Sequence, residues 1–151
     1  MWELQSNPSA NGSKPFYEIS AFSKVQEYDS YIIIASGRYA INPNVLRAIM
    51  YMETTHGYYD APFNLLGINQ SILPMNVNVE YWGDTFGSRS ELSDPYKNIL
   101  AGADLIHRIQ KNMRYPYSID QLATLYNNIN AHKINNYGAR VKNIYYNKSW
   151  Q

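Results

Sequence analysis

Cysteine is absent from the chain, which excludes disulfides and thiolate metal sites and leaves the protein indifferent to redox compartment. Long apolar runs are absent too, and no window reaches the roughly 20 residues of a membrane-spanning helix. Nor is there an excess of charge. Thirteen basic against twelve acidic residues leave +1 over 151 residues, so no broad basic footprint argues for nucleic acid. The opening stretch, M-W-E-L-Q-S-N-P-S-A-N-G-S-K-P, lacks the basic start and apolar core of a signal peptide. His56, His107 and His132 show neither the i, i+4 pair nor the nearby carboxylate pattern of a zinc hydrolase, and no glycine-rich phosphate loop appears, so no metal or other cofactor is expected. The length suits one domain with a sizeable core and is too short for two ordinary ones. Phenylalanine and tryptophan are scarce at four and three, while tyrosine is abundant at fifteen. An apolar ring with a polar tip suits wet clefts that hold sugars, and suits amphipathic interfaces equally well.

The stretch Asn42 to Gly57, N-P-N-V-L-R-A-I-M-Y-M-E-T-T-H-G, organises the rest. Asn42 caps free backbone N–H groups, Pro43 has its φ pre-set for the first helical position, and Gly57 supplies a stop. Between them Leu46, Ile49, Met50 and Glu53 fall at spacings of three and four, so one acid shares a face with three large apolar side chains. Burial and the negative end of the helix dipole both disfavour a charged carboxylate there, and a carboxyl held protonated near neutral pH is what a general acid requires. A glutamate near a helix end is as commonly a solvated surface residue. The rest of the chain decides between the two.

Residues 1–18 mix Ser, Asn, Gly and Pro without periodicity and are expected to form a flexible tail, leaving 19–151 as a single domain. From Ile19 to Ala40 the apolar spacing is helical, with Ser36-Gly37 offering a break before the Asn42 cap; Ile32-Ile33-Ile34 could instead form a short buried strand. Residues 57–93 carry four glycines, prolines and no long periodicity, which predicts an irregular or hairpin-bearing lobe of the kind that usually carries function. Within it Tyr81-Trp82-Gly83-Asp84 sets rings beside a carboxylate. Ser93-Asp94-Pro95 starts a second strong helix, running to about Met113, in which Gly102 suggests close approach by another backbone. Ser118 with Gln121 makes a capping box for a helix from Ile119 to about Tyr126, and a last helix spans Tyr137 to Tyr146 with Val141, Ile144 and Tyr145 inward. The predicted architecture is a mainly α domain with one long loop lobe.

Four separated motifs, covering about 120 residues from Ala21 to Tyr146, resemble the lysozyme-like peptidoglycan glycosidases. Ile41-Asn42-Pro43-Asn44-Val45-Leu46-Arg47-Ala48-Ile49-Met50-Tyr51-Met52-Glu53 looks like the helix carrying the catalytic glutamate of lytic transglycosylases and goose-type lysozymes. Asp94 to Ala103 is similar to their D-P-x-x-N-I-x-A-G-A segment, Leu122 to Asn127 to their A-x-x-Y-N motif, and Tyr137 to Tyr146 to their closing helix with Y-x-x-R-V. Asn64 to Gln70 stands where transglycosylases have G-L-M-Q, with only Gly67 and Gln70 in common. Read differently, Glu53-Thr54-Thr55-His56-Gly57 with Asn64-Leu65-Leu66-Gly67-Ile68 is similar to the E-S-x-W-G and N-L-F-G-I pair of peptidoglycan glucosaminidases.

The resemblance implies an α+β lysozyme-like fold, a helical core with a loop or hairpin lobe forming a glycan cleft. It implies Glu53 as general acid, and Tyr126 and Asn127 across the cleft, orienting that acid or the N-acetyl group of the substrate. Gln70, Tyr81 and Trp82 join them as expected substrate contacts. Glycoside hydrolysis asks for a second carboxylate or for assistance from the substrate's own N-acetyl group. Asp84 is the first candidate for its aromatic surroundings and Asp60 the second for proximity, ahead of Glu80 and Glu91. Without such a group the lytic, internally cyclising reaction gains weight, so muramidase, glucosaminidase and lytic transglycosylase all stand. The implied partner is the glycan strand of peptidoglycan. A wall-degrading enzyme made in the cytoplasm without a leader is expected to reach the periplasm or cell wall by non-classical delivery, as contact-delivered antibacterial toxins and phage endolysins do, or else its leader lies outside this sequence; the short tail and the lack of a separate wall-binding repeat favour the toxin. That suggests an antibacterial effector whose cleft is plugged by a cognate immunity protein in the producing cell. The rival reading is a lysozyme-like module that binds glycan or protein without cleaving.

Overall fold

The computed structural model describes residues 2–13, 18–64, 74–75 and 89–151. Seven helices are described: α1 (Glu18–Glu27), α2 (Asp29–Tyr39), α3 (Pro43–Asn64), α4 (Arg89–Leu92), α5 (Pro95–Asn112), α6 (Ile119–Asn127) and α7 (Asn136–Asn147). The protein is mainly α. Among the described residues, extended pairing is confined to two isolated parallel bridges, Trp2 with Met113 and Gln5 with Lys133, and no helix is long and apolar enough to cross a membrane.

Helix α3 is the axis of the molecule. Its start is the predicted one: Asn42 Oδ1 accepts from the Asn44 N–H at 2.9 Å, and Pro43 opens the helix. Sequence spacing suggested one apolar face. In the structure every residue from Ala48 to Thr55 is buried, because α1, α2 and α7 all pack on α3 and enclose it. Gly57 does not stop the helix, which runs on to Asn64. One glycine costs about 1 kcal/mol of helix propensity, a term that packing along the preceding turns outweighs. The expected loop lobe is therefore shorter at its beginning, and Asp60 belongs to a helix.

Two further expectations are corrected upstream. The break in the first helical stretch falls at Tyr28, between α1 and α2, and not at Ser36-Gly37; the three isoleucines are helical. A Cβ at Gly37 would point into open space, while Ile32, Ala35 and Ser36 on the same helix are buried, so the packed face carries the helix through the glycine. Helix α2 ends instead at Ala40, whose φ of 54° is left-handed and whose N–H bonds the Ser36 carbonyl. Arg47 then fastens α3 to the start of α2, its Nε donating to Asp29 Oδ1 at 2.8 Å.

The second half of the fold follows its caps. Asp94 accepts from the Lys97 N–H at 2.9 Å with Pro95 at the first position of α5, and the side chain of Gln121 reaches back to the Ser118 N–H at 2.8 Å to open α6. Asn135 caps α7 through the Gly138 N–H at 2.9 Å. Helices α6 and α7 pack so closely at Gly138 that a Cβ there would meet the Asp120 carbonyl and Thr124 Oγ1.

Residues 2–13, expected as a flexible tail, lie along the body as a strap. The Trp2 N–H donates to the Asn112 carbonyl at 2.7 Å, and the Arg114 N–H returns a bond to the Trp2 carbonyl at 3.2 Å. Gln5 pairs in the same way with His132 and Ile134, Leu4 is buried, and Asn143 holds the Gly12 carbonyl at 2.8 Å. Low-complexity composition marks a segment that builds no core of its own. It does not prevent that segment from adding backbone hydrogen bonds to a core built by others.

Candidate functional site

Glu53 lies two-thirds of the way along the buried run of α3 and is 5% exposed. The two threonines that follow it are equally deep, and each satisfies its hydroxyl on the helix itself, Thr54 Oγ1 donating to the Met50 carbonyl and Thr55 Oγ1 to that of Met52. A carboxyl at that depth must be hydrogen-bonded, since an uncompensated buried charge costs several kcal/mol. A partner comes from α7. The Tyr137 phenol donates to Glu53 Oε1 at 2.7 Å, a short bond between two buried groups. Tyr137 opens the inward face of its helix one turn before Val141 and two before Ile144. That i, i+4, i+7 spacing was readable in the sequence, which had placed only Val141, Ile144 and Tyr145 inward.

Tyr126, from α6, is the second phenol of the cluster. Its ionisation is pushed well above the ordinary value of 10.0 by burial and then by the neighbouring Glu53 charge. Tyr137 is pushed the same way, by burial first, then by Glu53, by Tyr126 and by the hydrogen bond to Glu53. Both rings therefore stay protonated donors through the neutral range. Tyr137 donates to the acid. Tyr126 donates to the backbone carbonyl of Met75, at 2.7 Å.

Met75, which sequence reasoning passed over, is gripped by both α5 and α6. Its N–H donates to Asn98 Oδ1 at 2.8 Å, while Asn98 Nδ2 donates to the Leu92 carbonyl at 3.1 Å, so this fully buried amide is satisfied at both ends. Its side chain lies over Gly102, where an added Cβ would sit 2.7 Å from Met75 Cβ and Cγ. Gly102 was expected to admit another backbone, and the close neighbour is a side chain. Asn98, Gly102 and Tyr126 thus form one cradle from two helices, and Tyr126 couples that cradle electrostatically to Glu53.

The remaining expected residues divide. Asn127 is exposed, and its Oδ1 accepts from Asn135 Nδ2 at 3.0 Å, tying the end of α6 to the cap of α7. Asp60 is seven residues beyond Glu53 on α3, two helical turns and about 10 Å along the axis; its side chain lies outside the described residues. Gln70, Glu80, Tyr81, Trp82 and Asp84 also lie outside them. Glu91 is exposed on the short helix α4. The structure thus brings Glu53, Tyr126 and Tyr137 together, of which the first two were expected as site residues.

Chemically, the arrangement can hold one proton at a defined place. With Oε1 accepting from a phenol that remains protonated, the Glu53 carboxyl is held in one orientation by the Tyr137 bond. Compared with protein-family models, with curated proteins and with solved structures, the chain matches none.

Proposed function

We propose that the protein cleaves the β-1,4 glycosidic bond between amino sugars in peptidoglycan strands, with Glu53 as the general acid. The observation that carries the reading is the pairing of a 95% buried carboxyl with the Tyr137 phenol at 2.7 Å. A glutamate costs stability at that depth, and proteins retain such groups where a protonated carboxyl has work to do. In this reading the Glu53 carboxyl protonates the leaving oxygen, Tyr137 fixes the carboxyl plane, and Tyr126 and Met75 set the wall of a lysozyme-like cleft. The second group is Asp84, Asp60 or the substrate's own N-acetyl group, and with the last of these hydrolysis and lytic cyclisation share the same acid. Asn127, Gln70, Tyr81 and Trp82 are proposed to contact the strand. Such an enzyme acts in the periplasm or on the wall as an antibacterial effector. A producing cell guards itself with an immunity protein that covers Glu53.

The Glu53 to Tyr137 bond also supports a second reading, in which the pair only ties α3 to α7 and the protein binds glycan or protein without cleaving. Incubation with purified peptidoglycan separates the two. Wild type releases soluble muropeptides and Glu53→Gln, which keeps the hydrogen-bond acceptor, does not. Release by neither protein, with both folded, removes the enzyme reading. Mass spectrometry of the reducing ends then assigns the bond, by whether they are muramic acid, glucosamine or an anhydro sugar.

A further inference from the structure

On the other side of α6 the strap and the α5–α6 connection line a half-open concavity, of about 150 Å³, between Trp2 and the run Tyr115, Pro116 and Tyr117. Its aromatic wall is unusual. Tyr115 is 85% exposed and stands edge-on to Tyr117, with ring centroids 6.3 Å apart, so a large apolar surface is displayed and not buried. Trp2 opposite is fixed by the backbone bonds that clamp the strap to Asn112 and Arg114. At the rim Arg114 Nη1 donates to Glu3 Oε1 at 2.7 Å, and both side chains are more than half exposed. An exposed ion pair contributes little to stability, so its donors and acceptor can be exchanged for those of a ligand at small cost.

Size, ring faces and rim chemistry converge on one class of occupant. A cavity of about 150 Å³ accepts a single six-membered ring. Aromatic walls favour a ligand with an apolar face, which a pyranose presents through its C–H bonds. A neutral rim that offers donor and acceptor side by side suits hydroxyl and amide groups better than a charged ligand, whose charge one rim residue would repel. Gln121, which lines the cavity, and Tyr126 of the Glu53 site are five residues apart on α6, about 140° around its axis, so the two sites face different directions. A sugar held here is not the sugar being cut.

We infer that this cavity is a second carbohydrate site, which holds one amino-sugar ring of a glycan strand away from Glu53 and keeps the protein on the polymer between cleavages. The inference rests on the proposed glycan substrate but not on catalysis. Its probe is a β-1,4-linked hexamer of N-acetylglucosamine, added to the Glu53→Gln protein while the indole N–H signals are followed by NMR. The Trp2 signal is expected to move, that of Trp150 to stay, and Tyr115→Ala to weaken the Trp2-reported affinity roughly three- to tenfold. In the protein with Glu53 intact, Tyr115→Ala is expected to slow release from insoluble peptidoglycan and leave turnover of a short soluble oligomer unchanged. Circular dichroism and the Trp150 signal check that the variant is folded. A Trp2 signal unmoved by the hexamer, with peptidoglycan still cleaved by wild type, overturns the second site and spares the enzyme reading. A Trp2 shift whose reported affinity is weakened by Tyr115→Ala, with no cleavage by wild type, upholds the site and overturns the enzyme reading alone.

Discussion

Replacing Tyr137 by phenylalanine removes one oxygen and nothing else. The ring continues to fill its place between α7 and α3, so no cavity term enters. What is lost is the donor at 2.7 Å from Glu53 Oε1, between groups that are respectively 6% and 5% exposed. A hydrogen bond of this kind contributes about 1 kcal/mol when both partners are neutral and about 1.5–3 kcal/mol when one is charged. Removing the donor leaves the buried carboxyl one hydrogen bond short, so the expected loss lies above the neutral value, at about 2 kcal/mol. For a chain of this size that lowers the melting temperature by about 4–8 °C. Calorimetry on four proteins tests the cause as well as the amount: wild type, Tyr137→Phe, Glu53→Met and the double variant. If the pair is the source, Tyr137→Phe costs little or nothing once Glu53 is methionine, and the cycle returns a coupling of more than about 1 kcal/mol. Additive losses would refute the reasoning, because the tyrosine would then be stabilising the fold through something other than the acid.

Alkaline pH provides an independent check on the same cluster. Tyr126 and Tyr137 ionise in the folded protein only well above 10.0, whereas in the unfolded chain they ionise near that value. Their stabilisation is complete below about pH 10 and is lost as pH rises from there toward the folded values, at about 1.4 kcal/mol per pH unit for each phenol. Denaturant titrations at pH 9 to 11 should show that decline, and Tyr126→Phe or Tyr137→Phe should each make it shallower. Asn98→Ala orphans the Met75 N–H and the Leu92 carbonyl together, and is expected to cost about 2–5 kcal/mol in urea unfolding. Gly138→Ala gains less than about 1 kcal/mol of helix propensity but drives a methyl into the Asp120 carbonyl, so a net loss of about 1–2 kcal/mol is expected by the same assay. Ala40→Gly should run the other way. Its exposed, left-handed cap residue carries a steric cost of about 1–2 kcal/mol that glycine avoids, and the gain is measurable as a raised melting temperature.

Sequence alone was enough for the signals that act within about four residues. Asn42-Pro43, Ser93-Asp94-Pro95 and the Ser118 to Gln121 spacing each open the helix they predict, because a cap closes on N–H groups of its own first turn. Glu53 among apolar neighbours was legible for the same reason, as a matter of spacing on one helix. Stops were read less well. Gly37 and Gly57 lie inside helices, since the approximate 1 kcal/mol that a glycine costs is decided by what the rest of the helix buries.

Everything that turns Glu53 from a residue into a site depends on contacts distant in sequence. Tyr137 is 84 residues away, Met75 is gripped from Asn98, Gly102 and Tyr126, and the Ser- and Asn-rich start of the chain docks against α5 and the α6–α7 connection. No local rule prescribes these pairings. They appear only when α3 is enclosed on several sides, and an enclosed carboxyl then has to find its hydrogen bonds wherever the packed helices place a donor. The sequence by itself determined that an acid would sit on an apolar helix. Only the tertiary structure decided that the helix is buried all round, and that the oxygen facing Glu53 Oε1 belongs to Tyr137.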